Sequence, residues 1–136
     1  LGLAHPNEYV YYSLLASGRS LETTYELDYW NVSVLQTLRA WLNSPNRNQS
    51  VPLTIAGADL WAQTGLRCNL PLLSEEEQAQ ITLLDTGDEG ASYVLSNRTY
   101  AVIGGWTADA SLEPLVQTRA FDSVLSEIYV RKEVQP

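Results

Sequence analysis

The stretch from Asn31 to Asn43, NVSVLQTLRAWLN, spaces Val34, Leu35, Leu38, Trp41 and Leu42 at three- and four-residue intervals. That spacing collects them on one side of an α-helix, and such a helix must bury its apolar side against another element. Ser33 with Gln36 fits a capping box at its start, and Asn31 is the competing N-cap. Asn43-Ser44-Pro45-Asn46 ends the helix, because the residue before a proline is driven out of helical geometry. Trp41, in the apolar stripe, is expected in the core.

The segments around this helix carry shorter, β-favouring patterns. Glu8 to Leu15 and Thr23 to Trp30, separated by a loop from Ala16 to Ser20, are rich in aromatic and branched residues and read as strands or extended segments. Val51 to Ala56 is a short strand-like run. Ala58 to Thr64 reads as a short helix that Gly65 can close in left-handed geometry. Ser74 and Glu77 form a second capping-box pattern, with three glutamates suited to a helix dipole. Ile81 to Leu84 and Ala91 to Asn97 read as strands on either side of a turn from Gly87 to Gly90, and Ala101 to Ile103 is a short apolar run ended by Gly104-Gly105. Leu115 to Phe121 and Val124 to Val130 flank Asp122-Ser123 as a hairpin. Strands alternating with helices and a closing hairpin predict a single α/β domain: a mixed β-sheet with flanking helices and a C-terminal β-hairpin.

Composition narrows the function. The 136 residues suffice for one hydrophobic core and not two. A formal net charge of −8, with basic residues scattered singly apart from Arg131-Lys132, opposes binding to nucleic acid. His5 is the only histidine and Cys68 the only cysteine, which removes intrachain disulfides, cysteine-based zinc sites and most histidine-dependent catalysis. Cys68 is expected as a small buried apolar residue. No phosphate loop or GxGxxG calls for a cofactor. No apolar run approaches the roughly 20 residues that span a bilayer. The absence of methionine and the start at Leu1-Gly2-Leu3-Ala4 suggest a soluble segment of a longer chain.

Asp85-Thr86-Gly87 matches the triplet of retroviral-type aspartic proteases, which would require a dimer to bring two carboxylates together. Asp88 stands where that fold needs a small residue, and Val102-Ile103-Gly104 comes too soon to be its late strand. A turn explains the triplet more simply, since Asp bonds nearby amides and Gly supplies positive φ. A calcium loop starting at Asp85 would place Gly87 and Ser96 at ligand positions, so that reading fails too. Three Asn-x-Ser/Thr sequons begin at Asn31, Asn48 and Asn97.

Longer stretches carry a family resemblance. HPNEYVYYS, His5 to Ser13, resembles the segment His-Pro-Tyr-x-Tyr-Val-Tyr-Phe-Asn. YELDYWNVSVLQTLRAWLN, Tyr25 to Asn43, resembles Phe-Glu-x-Asp-Tyr-Trp-Gly-x-Ser followed by a helix ending Trp-Leu-Asn. ASYVLSN, Ala91 to Asn97, and VLSEIYVRK, Val124 to Lys132, agree more weakly with later strands. Together they resemble the soluble C-terminal domain of bacterial multi-pass membrane glycosyltransferases of the GT-C type, similar to dolichyl-phosphate-mannose protein mannosyltransferases. Asn7 and Glu8, Ser13, and Asn31 in place of glycine are the departures.

The resemblance implies a parent enzyme that moves sugar from a polyprenyl-phosphate donor on the extracytoplasmic (periplasmic) face of the membrane. It also implies a catalytic acid in a loop between membrane helices, outside this chain, so the domain itself is expected to be noncatalytic. Its partners would be its own transmembrane domain and a glycan, acceptor or polyprenyl-phosphate headgroup. Tyr25, Asp28, Tyr29, Trp30 and Trp106 are the candidate ligand-binding residues, because aromatic faces stack on sugar rings and carboxylates accept hydroxyl hydrogen bonds. The plainer reading puts Tyr29 and Trp30 in the core and leaves Asp28 to orient the following helix. The alternatives are an interaction or structural module without a ligand, presenting an apolar patch near Tyr9 to Leu15, and, more remotely, a dimeric protease using Asp85.

Overall fold

The computed structural model describes residues 31–120 and 122–132. The extended segments expected before Asn31, the end of the first hairpin strand at Phe121, and Tyr25, Asp28, Tyr29 and Trp30 lie outside the described residues. Five strands form one mixed sheet: β1 (Thr54–Gly57), β2 (Thr82–Leu83), β3 (Tyr93–Asn97), β4 (Leu112–Ala120) and β5 (Ser123–Arg131). Their order is β2-β1-β3-β5-β4. β1 runs parallel to both β2 and β3, whereas β5 is antiparallel to β3 and β4. This is the mixed α/β domain with a terminal hairpin that the sequence predicts.

Helices α1 (Ser33–Leu42) and α2 (Leu60–Asn69) cover one face of the sheet. The pleat turns Tyr93 and Leu95 of β3, and Ile128 and Val130 of β5, toward them. Val34, Leu38 and Trp41 from α1 and Ala62 and Leu66 from α2 complete this core. Trp41 is fully buried, as expected, and meets Tyr93 edge-on with ring centroids 5.0 Å apart. A hydroxyl cluster joins α1 to the hairpin: Thr37 Oγ1 lies 2.6 Å from both Thr118 Oγ1 and Ser126 Oγ, and Ser33 Oγ lies 2.6 Å from Ser126 Oγ.

That cluster explains one correction. Ser33 does not cap α1; Val32 occupies the N-cap position without a side-chain bond, and the Ser33 hydroxyl is drawn into the sheet instead. Asn31 is no N-cap either. It adopts φ +57°, and its side-chain oxygen accepts a 2.9 Å bond from Asn97 Nδ2. A second correction concerns Gly65. It does not stop a helix at Thr64 but sits inside α2, which starts from an Asp59 cap on the amides of Trp61 and Ala62 and continues to Asn69. Glycine is needed there because a Cβ would stand 2.8 Å from Asn31 Oδ1. Cys68 is the third correction, for it is exposed on α2.

The one-turn helix α3 (Glu75–Gln78) carries the predicted capping box between Ser74 and Glu77. The apolar run at Ala101 to Ile103 forms part of α4 (Arg98–Gly104). Both strands next to α4 present their other side chains away from the main core, and those side chains are buried as well: Val94 and Ser96 on β3, Leu125, Glu127 and Tyr129 on β5. Burial on both faces is why β5 reads as a nearly continuous apolar run in the sequence.

Candidate functional site

Two loops and the ends of three strands enclose a cleft of about 180 Å³ on this second face. It is lined by Ala58, Gly87, Asp88, Glu89, Val94, Trp106, Asp109, Leu112 and Arg131. At that volume, below the usual range of small-molecule pockets, the cleft has room for one small group and not for an extended ligand.

Trp106 is held there by the end of α4. Gly105 adopts φ +69°, its amide donates to Val102 O, and the Trp106 amide donates to Ala101 O at 2.9 Å. This pair of bonds is the left-handed glycine cap that stops a helix and sends the next side chain back across it. The indole then packs against Tyr129, with ring centroids 5.7 Å apart and an interplanar angle of 67°. Trp106 is half-buried: anchored by Tyr129, yet part of the cleft wall.

The carboxylates come from the two loops. After β2, Gly87 at φ +70° donates to Gly57 O, tying the loop to the end of β1. Asp88 then accepts from the Gly90 amide at 2.7 Å through Oδ1. On the opposite side, Asp109 Oδ1 accepts from both the amide and the hydroxyl of Ser111. Those two bonds, helped by the positive charges of Arg131 and Lys132, hold the Asp109 carboxyl below the usual carboxylate range. Arg131 joins the loops: its Nε donates to Ala91 O at 3.1 Å and its Nη1 to Ser111 Oγ at 3.3 Å. Three carboxylates against one guanidinium make the cleft net negative.

Behind Trp106 lies a buried polar row. Tyr129 donates its hydroxyl to Glu127 Oε2 at 2.5 Å, and Gln117 Nε2 donates to Glu127 Oε1. Burial, and then the bond to and the charge of Glu127, push the Tyr129 hydroxyl pKa far above its ordinary value, while nearby Arg98 opposes the shift. Ser96, opposite Glu127 in the ladder, is fully buried and its hydroxyl has no partner among the described residues. This row fixes the ring that fixes Trp106.

Of the sequence candidates, Trp106 is therefore in the cleft, and the other four lie outside the described residues. Asp85 does not line the cleft. It is exposed, and its carbonyl accepts from the Asp88 amide to close the turn read from the sequence. Asp88, Glu89, Asp109 and Arg131 were not among the candidates, because only the fold brings residues so far apart in sequence to one cleft. A signal for the polar row was present, since Glu127 interrupts the apolar run VLSEIYV two residues from Tyr129. Among the described residues, no group of three His, Cys, Asp or Glu side chains is placed to hold a metal ion, and no helix is long and apolar enough to cross a membrane. No protein-family model, curated protein or solved structure matches the chain.

Proposed function

We propose that this chain is an extracytoplasmic accessory domain of a GT-C-type membrane glycosyltransferase, and that the cleft at Trp106 recognises the sugar of a glycan or acceptor. The observation that carries the reading is the half-buried Trp106 ring in a small cleft beside Asp88, Glu89 and Asp109. An aromatic ring supplies the apolar surface for a sugar's C–H face, and carboxylate oxygens accept from its hydroxyls. The resemblance of His5 to Ser13 and Tyr25 to Asn43 to that family supports the parent enzyme and the periplasmic location. The parent's chemistry would reside in the transmembrane domain, which makes this domain a noncatalytic partner of it.

Charge selects among the ligands. The net negative cleft opposes a phosphate, so a neutral or amine-bearing sugar fits better than the polyprenyl-phosphate headgroup. The test is a binding panel of neutral pyranosides, amino sugars and sugar phosphates, read by isothermal titration calorimetry on the chain and on Trp106→Ala. Saturable binding of uncharged or amine-bearing sugars, lost in Trp106→Ala, is expected. Binding of phosphates alone, or binding that survives the substitution, sinks the reading.

A second reading rests on its own observation. Leu60 is 75% exposed at the start of α2, next to Trp61, which is 49% exposed. Apolar side chains in solvent favour packing against a partner, such as the parent's membrane domain. Replacing Leu60 and Trp61, neighbours at the start of α2, by Ser would then weaken association with that domain and leave sugar binding unchanged.

A further inference from the structure

The three sequons fold into two different environments. Asn31 and Asn97 are buried, at 6% and 0% exposure, and they hydrogen-bond to each other. Asn97 lies in the middle layer of the fold, opposite Ser126 in the ladder. A glycan on Asn97 Nδ2 would replace one of its two amide hydrogens and would have no route to solvent from that fully buried position. One on Asn31 would disrupt the same pair, where α1, α2 and β3 meet.

Asn48 is placed differently. It starts the turn from Asn48 to Val51, whose amide donates to Asn48 O at 3.2 Å. The flanking Gln49 and Ser50 are exposed, and buried Val51 anchors the turn. Asn48 Oδ1 accepts from the Ser50 amide at 2.9 Å. That bond occupies the carbonyl arm of the carboxamide and holds the side chain in an Asx turn. The amide nitrogen, on the other arm, makes no hydrogen bond to a described residue. The exposed Ser50 hydroxyl stands at the third position of the sequon, where an N-glycosylating enzyme requires it.

We infer that Asn48 is an N-glycosylation site of this protein, and that Asn31 and Asn97 are excluded from modification by the fold. The donor class is a glycan linked through its anomeric carbon to a polyprenyl diphosphate. In the transfer, Asn48 Nδ2 forms a bond to that carbon while the bond from the carbon to the diphosphate oxygen breaks. The diphosphate leaves with the electron pair, and Nδ2 gives up one proton to the transferring enzyme. This assignment is independent of the sugar cleft, because the Asn48 turn shares no residue with it.

The experiment secretes the full chain from a host that N-glycosylates exported proteins, beside a reporter whose own sequon becomes occupied. Intact mass and peptide mapping, before and after N-glycanase converts modified Asn to Asp, locate each glycan. One glycan per folded molecule, on Asn48, is expected. Asn48→Gln and Ser50→Ala should each lose it completely and keep the native circular dichroism; Ser50→Ala retains the backbone amide that holds the turn. Material retained in the cell is mapped the same way, and modification at Asn31 or Asn97 should occur only in that misfolded pool. An unmodified Asn48 beside an occupied reporter overturns the inference, as does a folded, secreted molecule with a glycan on Asn31 or Asn97.

Discussion

Replacing Gly65 by Ala sets two effects of known sign against each other. In an exposed helix interior the change stabilises by about 1 kcal/mol, because Ala loses less backbone entropy. Gly65 is not in such a place. Its added methyl would lie 2.8 Å from Asn31 Oδ1, 3.0 Å from Cγ and 3.2 Å from Cβ. Asn31 cannot readily yield, because its side chain accepts from Asn97 Nδ2 at 2.9 Å and its carbonyl from Asn69 Nδ2 at 3.2 Å. Overpacking of this kind costs roughly 1–3 kcal/mol. If Asn31 turns away, the buried Asn97 amide loses a partner, at roughly 1–3 kcal/mol. Subtracting the helix gain of about 1 kcal/mol from either cost leaves a net loss of roughly 0–2 kcal/mol. Urea unfolding read by circular dichroism measures it, with Gly104→Ala as control, since a Cβ there meets nothing within 4 Å. A Gly65→Ala chain that shows the full stabilisation of about 1 kcal/mol expected of an unobstructed helix site would refute the close approach between α2 and Asn31.

Three further outcomes follow from the same structure. Tyr129→Phe removes the donor to buried Glu127 and should destabilise by roughly 1–3 kcal/mol in urea unfolding, the range for a buried acceptor losing its bond. Because the folded-state pKa of Tyr129 is raised, its stabilisation is complete below the unfolded value of about 10 and is lost as pH climbs above it. A pH series should therefore show the parent weakening above about pH 10, and the Phe variant weakening less; equal slopes would contradict this. Cys68 is exposed, so a maleimide should modify the native chain without denaturant, and a reaction that waits for unfolding would count against its placement on the surface of α2.

Legibility tracked the range of the interactions. The α1 stripe, the Ser74–Glu77 box and the closing hairpin depend on neighbours within a few residues, and all three were readable. Ser33 and Gly65 depart from their local patterns because distant groups decide them. The Ser33 hydroxyl is claimed by Ser126, and Gly65 is required by Asn31 pressed against α2. Local rules rank a serine as a cap and a glycine as a stop, and tertiary contact overrides both. The cleft shows the same division. Trp106 could be singled out by residue type, but Asp88, Asp109 and Arg131 converge only through the strand order and Arg131's bonds to both loops. Cys68 departs from the buried habit of its residue type because it falls on the exposed side of α2.

The central claim is that the Trp106 cleft takes a sugar ring, and the most direct measurement is a two-dimensional proton–nitrogen NMR titration of the labelled chain with a neutral methyl pyranoside. The account predicts saturable shifts of the Trp106 indole signal together with the amides of Gly87, Asp88, Glu89 and Asp109, and no matching shifts at Trp61. An unmoved Trp106 signal at saturating sugar, or shifts confined to residues away from the cleft, would contradict it.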